Sequence, residues 1–329
     1  MKNFSEKPVG VSIICCTYNG VRRLPKTFEA IKKQDFLGDW EFILVDNASD
    51  DGTSEYAQSF FSDSGLRYQI IQCHKAGKNF ALWQAFESVN FSYILICDDD
   101  NELFPDYLTL GLEILENNHK IGALGGKGMA PKELELPEWF EWYQLTYAIG
   151  PQSAENGPIN KGWGLYGAGC FFRFKAVQEL LKRNYTTVLT SRKGNTFAAG
   201  GDTEMCLAVE CLGYEVWYHE QLRFYHHIEQ RRLDWDYFLR LKASIASNFP
   251  LMEPYRYFIL NESSGYDLFV FKKVPGLFWN FFFIQALYIF RPKLKNKVFR
   301  KVYTNTLKGL FKNFLLSRKA HQKVKSILQ

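Results

Sequence analysis

The stretch that most constrains this chain is Tyr93-Ile94-Leu95-Ile96-Cys97, followed at once by Asp98-Asp99-Asp100. Residues suited to a buried strand run straight into three carboxylates. Neighbouring like charges repel, and desolvating them costs roughly several kcal/mol. The triplet therefore needs a counter-charge. A divalent cation meets that need, because hard cations take carboxylate oxygens and often share them with substrate phosphates. In open α/β sheets, ligands sit outside the carboxyl ends of the strands, and Asp98-x-Asp100 falls at such an end. The competing reading is a solvated acidic turn that caps the next helix.

The chain before this stretch alternates. Val9–Cys16 reads as a first strand, ended by Thr17-Tyr18-Asn19-Gly20, and Val21, Leu24, Phe28 and Ile31 recur at helical spacing. Glu41–Val45 reads as a second strand, followed by the polar loop 46–53. A helix from about 54 to 61 leads to a third strand, Tyr68–Cys73. Lys78 and Asn79 open another helix carrying Ala81, Leu82, Ala85, Phe86 and Val89. This alternation predicts an α/β fold with a mostly parallel sheet and helices on both faces. No G-x-G-x-x-G follows a strand, which weakens a dinucleotide-oxidoreductase reading, and no G-x-x-x-x-G-K-[ST] is present. Loops 17–20, 46–53 and 98–101 all fall at strand carboxyl ends, so they meet along one edge of the sheet. There Asp46 is placed to accept bonds from a base or ribose, with Thr17 and Asn19 lining the same pocket. An ordinary turn is the alternative for Asp46-Asn47.

Totals bound the class. The chain has 329 residues, 47% of them hydrophobic, enough for one large domain or two smaller ones. Cysteines at 15, 16, 73, 97, 170, 206 and 211 show no C-x-x-C spacing and read as reduced thiols of a cytosolic protein. Met1–Pro8 lacks the apolar core of a signal peptide. Net charge is +5, yet residues 291–329 hold 12 Lys or Arg and no acid, which leaves −7 on residues 1–290. An acidic body with a basic end argues against a nucleic-acid binder and for a local anionic partner.

Val11-Ser12-Ile13-Ile14-Cys15-Cys16-Thr17-Tyr18-Asn19, then Val45-Asp46-Asn47-Ala48-Ser49-Asp50-Asp51-Gly52-Thr53, then Asp98-Asp99-Asp100 together resemble a family 2 glycosyltransferase of the GT-A fold. The resemblance runs in order over roughly 9–240. It implies a nucleotide-sugar-dependent, metal-dependent, inverting transfer, with UDP as the donor nucleotide. It implies that Thr17 and Asp46 touch the nucleoside, that Tyr18, Asn19, Asn47, Lys78, Asn79, Asp98 and Asp99 complete the donor site, and that Asp98 and Asp100 form a DxD site for Mg2+ or Mn2+. Gly162-Trp163-Gly164-Leu165-Tyr166-Gly167-Ala168-Gly169-Cys170 resembles the segment lining the donor and acceptor pocket. Its glycines are read as letting substrate approach the backbone. Trp163 and Tyr166 either stack on a sugar face or are plain core aromatics; Gly167, Ala168 and Gly169 are taken with them as acceptor residues.

Gly200-Gly201-Asp202-Thr203-Glu204-Met205-Cys206 resembles the family's Glu-Asp motif, with Asp202 as general base. Gly201 stands where an acid is common, so Glu204 is the alternative base, and capping of the helix that follows is the structural alternative for Asp202. After a strand over Tyr214–His219, Leu222-Arg223-Phe224-Tyr225-His226-His227 carries the histidine that the family places at its metal or diphosphate site. His226 fits first and His227 second; a structural role is the alternative. Arg231 and Arg232 either reach phosphate or form a solvated turn.

Ile121–Gly128 reads as a strand, and 130–161 as a long connection without periodicity. Trp235–Phe249 reads as an amphipathic helix. The apolar run 277–290 is too short, and too interrupted by Asn280 and Gln285, to span a bilayer. Its aromatics beside an acid-free basic tail suit an interfacial helix on an anionic membrane; a helical cap on the body, or an oligomer contact, is the alternative. The organisation expected is a catalytic domain over 1–233, with a donor half to about 128 and an acceptor half over 129–233, then a membrane-seeking helical region over 234–329. The expected activity is transfer to a glycan or lipid-linked acceptor in surface polysaccharide synthesis, by an enzyme that is cytoplasmic and peripheral on the inner membrane face. A sugar-nucleotide pyrophosphorylase is the runner-up, but it would open with a Gly-rich, Arg-containing loop that Thr17-Tyr18-Asn19-Gly20 is not. A non-catalytic carbohydrate-binding protein is the third class.

Overall fold

A computed structural model describes residues 6–189, 200–291 and 293–328. Met1–Ser5, the start of the polar amino terminus, lie outside the described residues. The first elements are β1 (Val11–Thr17), α1 (Leu24–Lys32), β2 (Trp40–Asp46), α2 (Thr53–Phe61), β3 (Tyr68–Gln72), α3 (Lys78–Phe86) and β4 (Tyr93–Ile96). Then come β5 (Asn101–Leu103), α4 (Tyr107–Asn117), β6 (Ile121–Met129), a 3₁₀ helix over Glu141–Tyr147, β7 (Gly157–Pro158), β8 (Cys170–Arg173), α5 (Phe174–Lys182), α6 (Gly201–Cys211) and β9 (Glu215–His226). One sheet runs β3-β2-β1-β4-β8-β6-β9-β5, with β7 against β9. β1, β2, β3, β4, β6 and β9 share a direction; β5, β7 and β8 oppose it. The mostly parallel α/β sheet expected from the alternation is the one that forms.

The strands are apolar because both faces are covered. Ile14, Ile43, Val45, Ile94 and Ile96 point to one core, shared with α3, α5 and α6. Val11, Ile13, Cys15, Phe42, Leu44, Leu95 and Cys97 point to the other, shared with α1, α2 and α4. Phe28 of α1 wedges there between Phe61 and Phe42, with ring centroids 4.8 and 5.7 Å away.

Register places the site. Thr17 pairs with Asp46, and Ile14 with Ile96. Continuing β1 and β4 in that register sets Thr17 level with Asp99, and Thr17 Oγ1 indeed donates to Asp99 at 2.5 Å. The three polar loops therefore share one edge.

Two spans differ from the sequence reading. Tyr214–His219 and the stretch after it are one strand, β9, which carries His226 at its end. The polar break His219-Glu220-Gln221 lies where the β6–β9 register shifts between Gly125 and Lys127. The helix expected to stop at Phe249 is α7 (Trp235–Ile259) and runs through Pro250 and Pro254, both buried. Packing there outweighs the donors that the prolines lack. Asp234 caps α7, accepting from the amides of Asp236 and Tyr237.

α8 (Tyr266–Phe290) and α9 (Leu294–Leu328) complete the chain. α9 lies along α7, where Gly309 allows an approach in which a Cβ would stand 2.4 Å from the Ser247 carbonyl. The far end of α9 reaches the body: Val324 and Ile327 join the core of Leu251, Met252 and Tyr255, and Lys323 Nζ donates to Thr187 O at 3.1 Å. α8 packs through Tyr266, Phe269, Val270 and Ile284 but exposes Leu268, Trp279, Phe282, Phe283, Ile289 and Phe290. Among the described residues no helix is long and apolar enough to cross a membrane.

Candidate active site

The loop after β1 is locked to the loop after β2. Asn19, at φ 51°, exchanges two hydrogen bonds with Asp50, and its amide donates to Ser49 Oγ. Tyr18 beside it is half exposed. Asp46 is buried and accepts from the Ser49 amide at 2.9 Å and Ser54 Oγ at 2.5 Å. Asn47 uses its whole amide internally: Nδ2 donates to the carbonyls of Cys73 and Lys75, and Oδ1 accepts from the Gly77 amide at 2.7 Å. Its side chain shapes the loop leading to Lys78. Asn79 likewise donates to Thr187 Oγ1 and to Leu189 O.

The acidic triplet finds its counter-charges within the protein. Lys78 Nζ lies 2.6 Å from Asp98 Oδ1. Arg23 lies 2.7 Å from Asp99 Oδ2. Asp100 is buried against His226 Nε2 at 3.2 Å and Arg232 at 3.6 Å. The environments push neighbouring carboxyls apart. Burial raises Asp99 despite Arg23. Burial acts on Asp100 in the same sense but is outweighed, so that His226, and then Arg232 and Arg23, hold it well below the usual range. Burial alone would lower His226; the Asp100 carboxylate raises it overall. Arg23 was not anticipated, although Arg22-Arg23 directly after the first loop is a visible signal. The carbonyl of Tyr147, in the connection over 130–161, left none.

That carbonyl fixes the tautomer of His226. His226 Nδ1 lies 2.7 Å from Tyr147 O. A carbonyl only accepts, so Nδ1 carries the proton. Nε2 then faces Asp100, and two acceptors attract each other only through a proton or a cation. A histidine whose outer N–H is held by a carbonyl is the usual arrangement for a metal ligand. The donor set of Asp100 and His226, with Asp98 beside them, thus fits a divalent cation in its chemistry. As they stand, no three His, Cys or acid groups among the described residues converge as a metal cage, and Asp98 is held by Lys78. His227 turns elsewhere, with Nε2 2.7 Å from Glu102.

α6 brings Asp202 to this edge. Its cap is Gly200 at φ 109°, so Asp202 sits inside the first turn and is not the capping residue. Asp202 Oδ2 lies 3.5 Å from Lys78 Nζ. Glu204, two residues on, is fully buried. It accepts from Tyr255 Oη at 2.5 Å, from Tyr185 Oη at 3.3 Å, and from the amides of Val188 and Leu189. That carboxylate is spent inside the protein and cannot meet an acceptor hydroxyl, so the alternative base is set aside.

The glycine segment also works differently from its sequence reading. A Cβ on Gly167 would fall 2.1 Å from Asp202 Cγ, one on Gly164 2.5 Å from Thr203, and one on Gly169 2.5 Å from Tyr107 Oη. On the Cβ side these glycines admit α6 and other protein groups. Tyr166 is a structural aromatic: its phenol bonds to Gly126 O, Gly128 N and Gly150 O. Ala168 is buried. Trp163 is 67% exposed, free to stack.

A family model described as "Glycosyl transferase family 2" matches residues 12–181. The putative glycosyltransferase EpsE of Bacillus subtilis is 34% identical over 186 residues, covering 56% of this chain and 62% of the relative's length. A GalNAc(5)-diNAcBac-PP-undecaprenol beta-1,3-glucosyltransferase of Campylobacter jejuni is 30% identical over 131 residues, 40% of this chain and 41% of that one. Among solved structures, the mannosyltransferase PcManGT of Pyrobaculum calidifontis in complex with GDP-Man and Mn2+ is similar at TM-score 0.54 and 15% identity, covering 95% of this chain and 90% of that one. S. aureus TarS 1-349 in complex with UDP-GlcNAc is similar at TM-score 0.52 and 14% identity, with 97% and 90% covered. At such identities the structural likeness is one of fold, and the fold is GT-A.

Proposed function

Since the chain belongs to glycosyl transferase family 2 and is a transferase enzyme, we propose that it moves a sugar from a UDP-linked donor to a hydroxyl of a glycan or lipid-linked acceptor, with inversion. One observation carries the reading: Asp98, after β4, and Asp202, in α6, meet at Lys78 on the edge where β1 and β2 end. A site for a diphosphate and a base for an acceptor are thereby adjacent.

The donor half runs to about residue 128, the acceptor half over 129–233. The nucleoside lies against Thr17, Tyr18 and Asp46, and the diphosphate near Asp98, Lys78 and Arg23. Asp98, Asp100 and His226 would hold Mg2+ or Mn2+, which supplies positive charge for the diphosphate as the glycosidic bond breaks. Asp202 takes the proton of the acceptor hydroxyl as its oxygen attacks the anomeric carbon. The single displacement forms the new C–O bond as the bond to the nucleotide breaks, and the nucleotide leaves with its electron pair. Trp163, exposed and next in sequence to Gly164, which packs on Thr203 of α6, offers a platform for the acceptor sugar. A UDP donor is supported by the UDP-GlcNAc complex of the similar fold, and a lipid-linked acceptor by the undecaprenol substrate of the Campylobacter relative.

Residues 234–329 seat the enzyme on the inner face of the cell membrane, from the cytoplasm. Leu268, Trp279, Phe282, Phe283, Ile289 and Phe290 recur at helical spacing along exposed positions of α8. The acid-free α9 lies beside them, which suits an anionic interface. The transfer reading is tested by donor hydrolysis across UDP-, GDP- and dTDP-sugars, with Mn2+ and with EDTA. Metal-dependent release of one nucleotide, lost in Asp100→Ala, is the expected result. Release that ignores EDTA would remove the metal from the reading.

A further inference from the structure

Lys78 faces two carboxylates that the reaction needs for different tasks. Its ammonium sits 2.6 Å from Asp98 and 3.5 Å from Asp202, and each of the three side chains is about one quarter exposed. The lysine does not swing freely at its root. Gly77 before it takes φ 133°, and Asn47 clamps the Gly77 amide and the carbonyls of Cys73 and Lys75. Lys78 is also the first residue of α3, where the helix dipole adds to its pull on an anion. It stays protonated here: burial works against the charge, but Asp202 and Asp98 outweigh it.

A carboxylate held by a cation is a weaker base than a free one. A diphosphate carries more charge than either aspartate and offers several oxygens, so it competes well for an ammonium. Resting on the transferase reading above, we propose that Lys78 is a latch between donor and base: it holds Asp202 and Asp98 while the site lacks a donor, and crosses to the donor diphosphate when one arrives. The exchange frees Asp98, which would then be available to hold a divalent cation, and frees Asp202 for the acceptor hydroxyl. No covalent bond changes in it. The consequence is an order of events, donor first, so that the acceptor hydroxyl meets a free base only once a sugar is in place.

The test measures binding by calorimetry, in EDTA and in Mg2+, using UDP and uridine as probes. Lys78→Met weakens UDP about tenfold, the worth of a hydrogen bond to a charged group, and leaves uridine unchanged. Lys78→Arg keeps UDP within about threefold, because a cation remains. Asp202→Asn tightens UDP a few-fold, since the competing carboxylate is gone. An equal loss of UDP and uridine in Lys78→Met would mean that the lysine only shapes the pocket. UDP affinity unchanged or weakened in Asp202→Asn would overturn the competition. If the unmodified chain did not bind UDP, the UDP-donor reading itself would fall and the latch with it. If it binds UDP but shows neither effect, the latch alone falls.

Discussion

Asp202 and Glu204 stand two residues apart in the first turn of α6, and their surroundings separate them completely. Asp202 faces Lys78 at the open edge; Glu204 is enclosed by Tyr185, Tyr255 and two backbone amides. Asp202→Asn should lower transfer by about 10²–10⁴, the usual worth of a general base, while UDP binds no more weakly than before and a few-fold more tightly if the latch holds; a variant still active near the native rate would exclude Asp202 as base. Burial raises the Glu204 carboxyl above its ordinary value of 4.5. The native state therefore binds that proton more firmly than the unfolded chain does, and its share of stability falls as pH rises above that value. Gln keeps an oxygen for one of the two amides and removes the charge. Urea melts at pH 5 and pH 8 should show the native chain losing ground to Glu204→Gln as pH rises. A gap widening the other way would mean that the native fold favours the ionised form. None of this could be read locally, because both carboxylates sit in the same seven-residue stretch and their partners come from elsewhere in the chain.

At the scale of elements, the sheet edge was legible and its packing was not. Parallel strands covered on both faces must be apolar runs, and their polar carboxyl ends must fall together. That is why Thr17, Asp46 and Asp98–Asp100 were placed correctly on one edge from the sequence. The glycines at 164, 167 and 169 mark the limit of the sequence: a missing Cβ records a close neighbour without saying whether it is substrate or protein. Here the neighbour is largely α6. Gly167→Ala should push Asp202 aside, costing about 1–3 kcal/mol of stability by overpacking and most of the activity. Thermal melting and transfer assays on the same preparation check both. Full activity would show that Asp202 can move without harm. His226 shows the same limit, since its Nδ1 partner is a backbone carbonyl 79 positions away.

The whole molecule divides its charge. Residues 1–290 carry −7 and the last 39 carry +12, beside the exposed apolar stripe of α8. Binding to vesicles of anionic lipid should therefore weaken as salt screens the basic helix. It should fall sharply in a Trp279→Ser, Phe282→Ser double variant, while binding of UDP stays as it was. Equal co-sedimentation of native and variant chains would place the contact elsewhere, and concentration-dependent dimers without vesicle binding would assign the stripe to a second copy. α9 is also a rod of about 50 Å at 1.5 Å per residue, and its far end is pinned to the body. Lys323 holds the carbonyl of Thr187, Arg183 holds that of Ile327, and Thr187 in turn receives Asn79, the neighbour of Lys78. A pull on the rod is thus delivered as leverage within a few residues of the edge where Lys78 meets Asp98 and Asp202, and trimming its last two turns would slacken the loops there even in a protein that never meets a lipid.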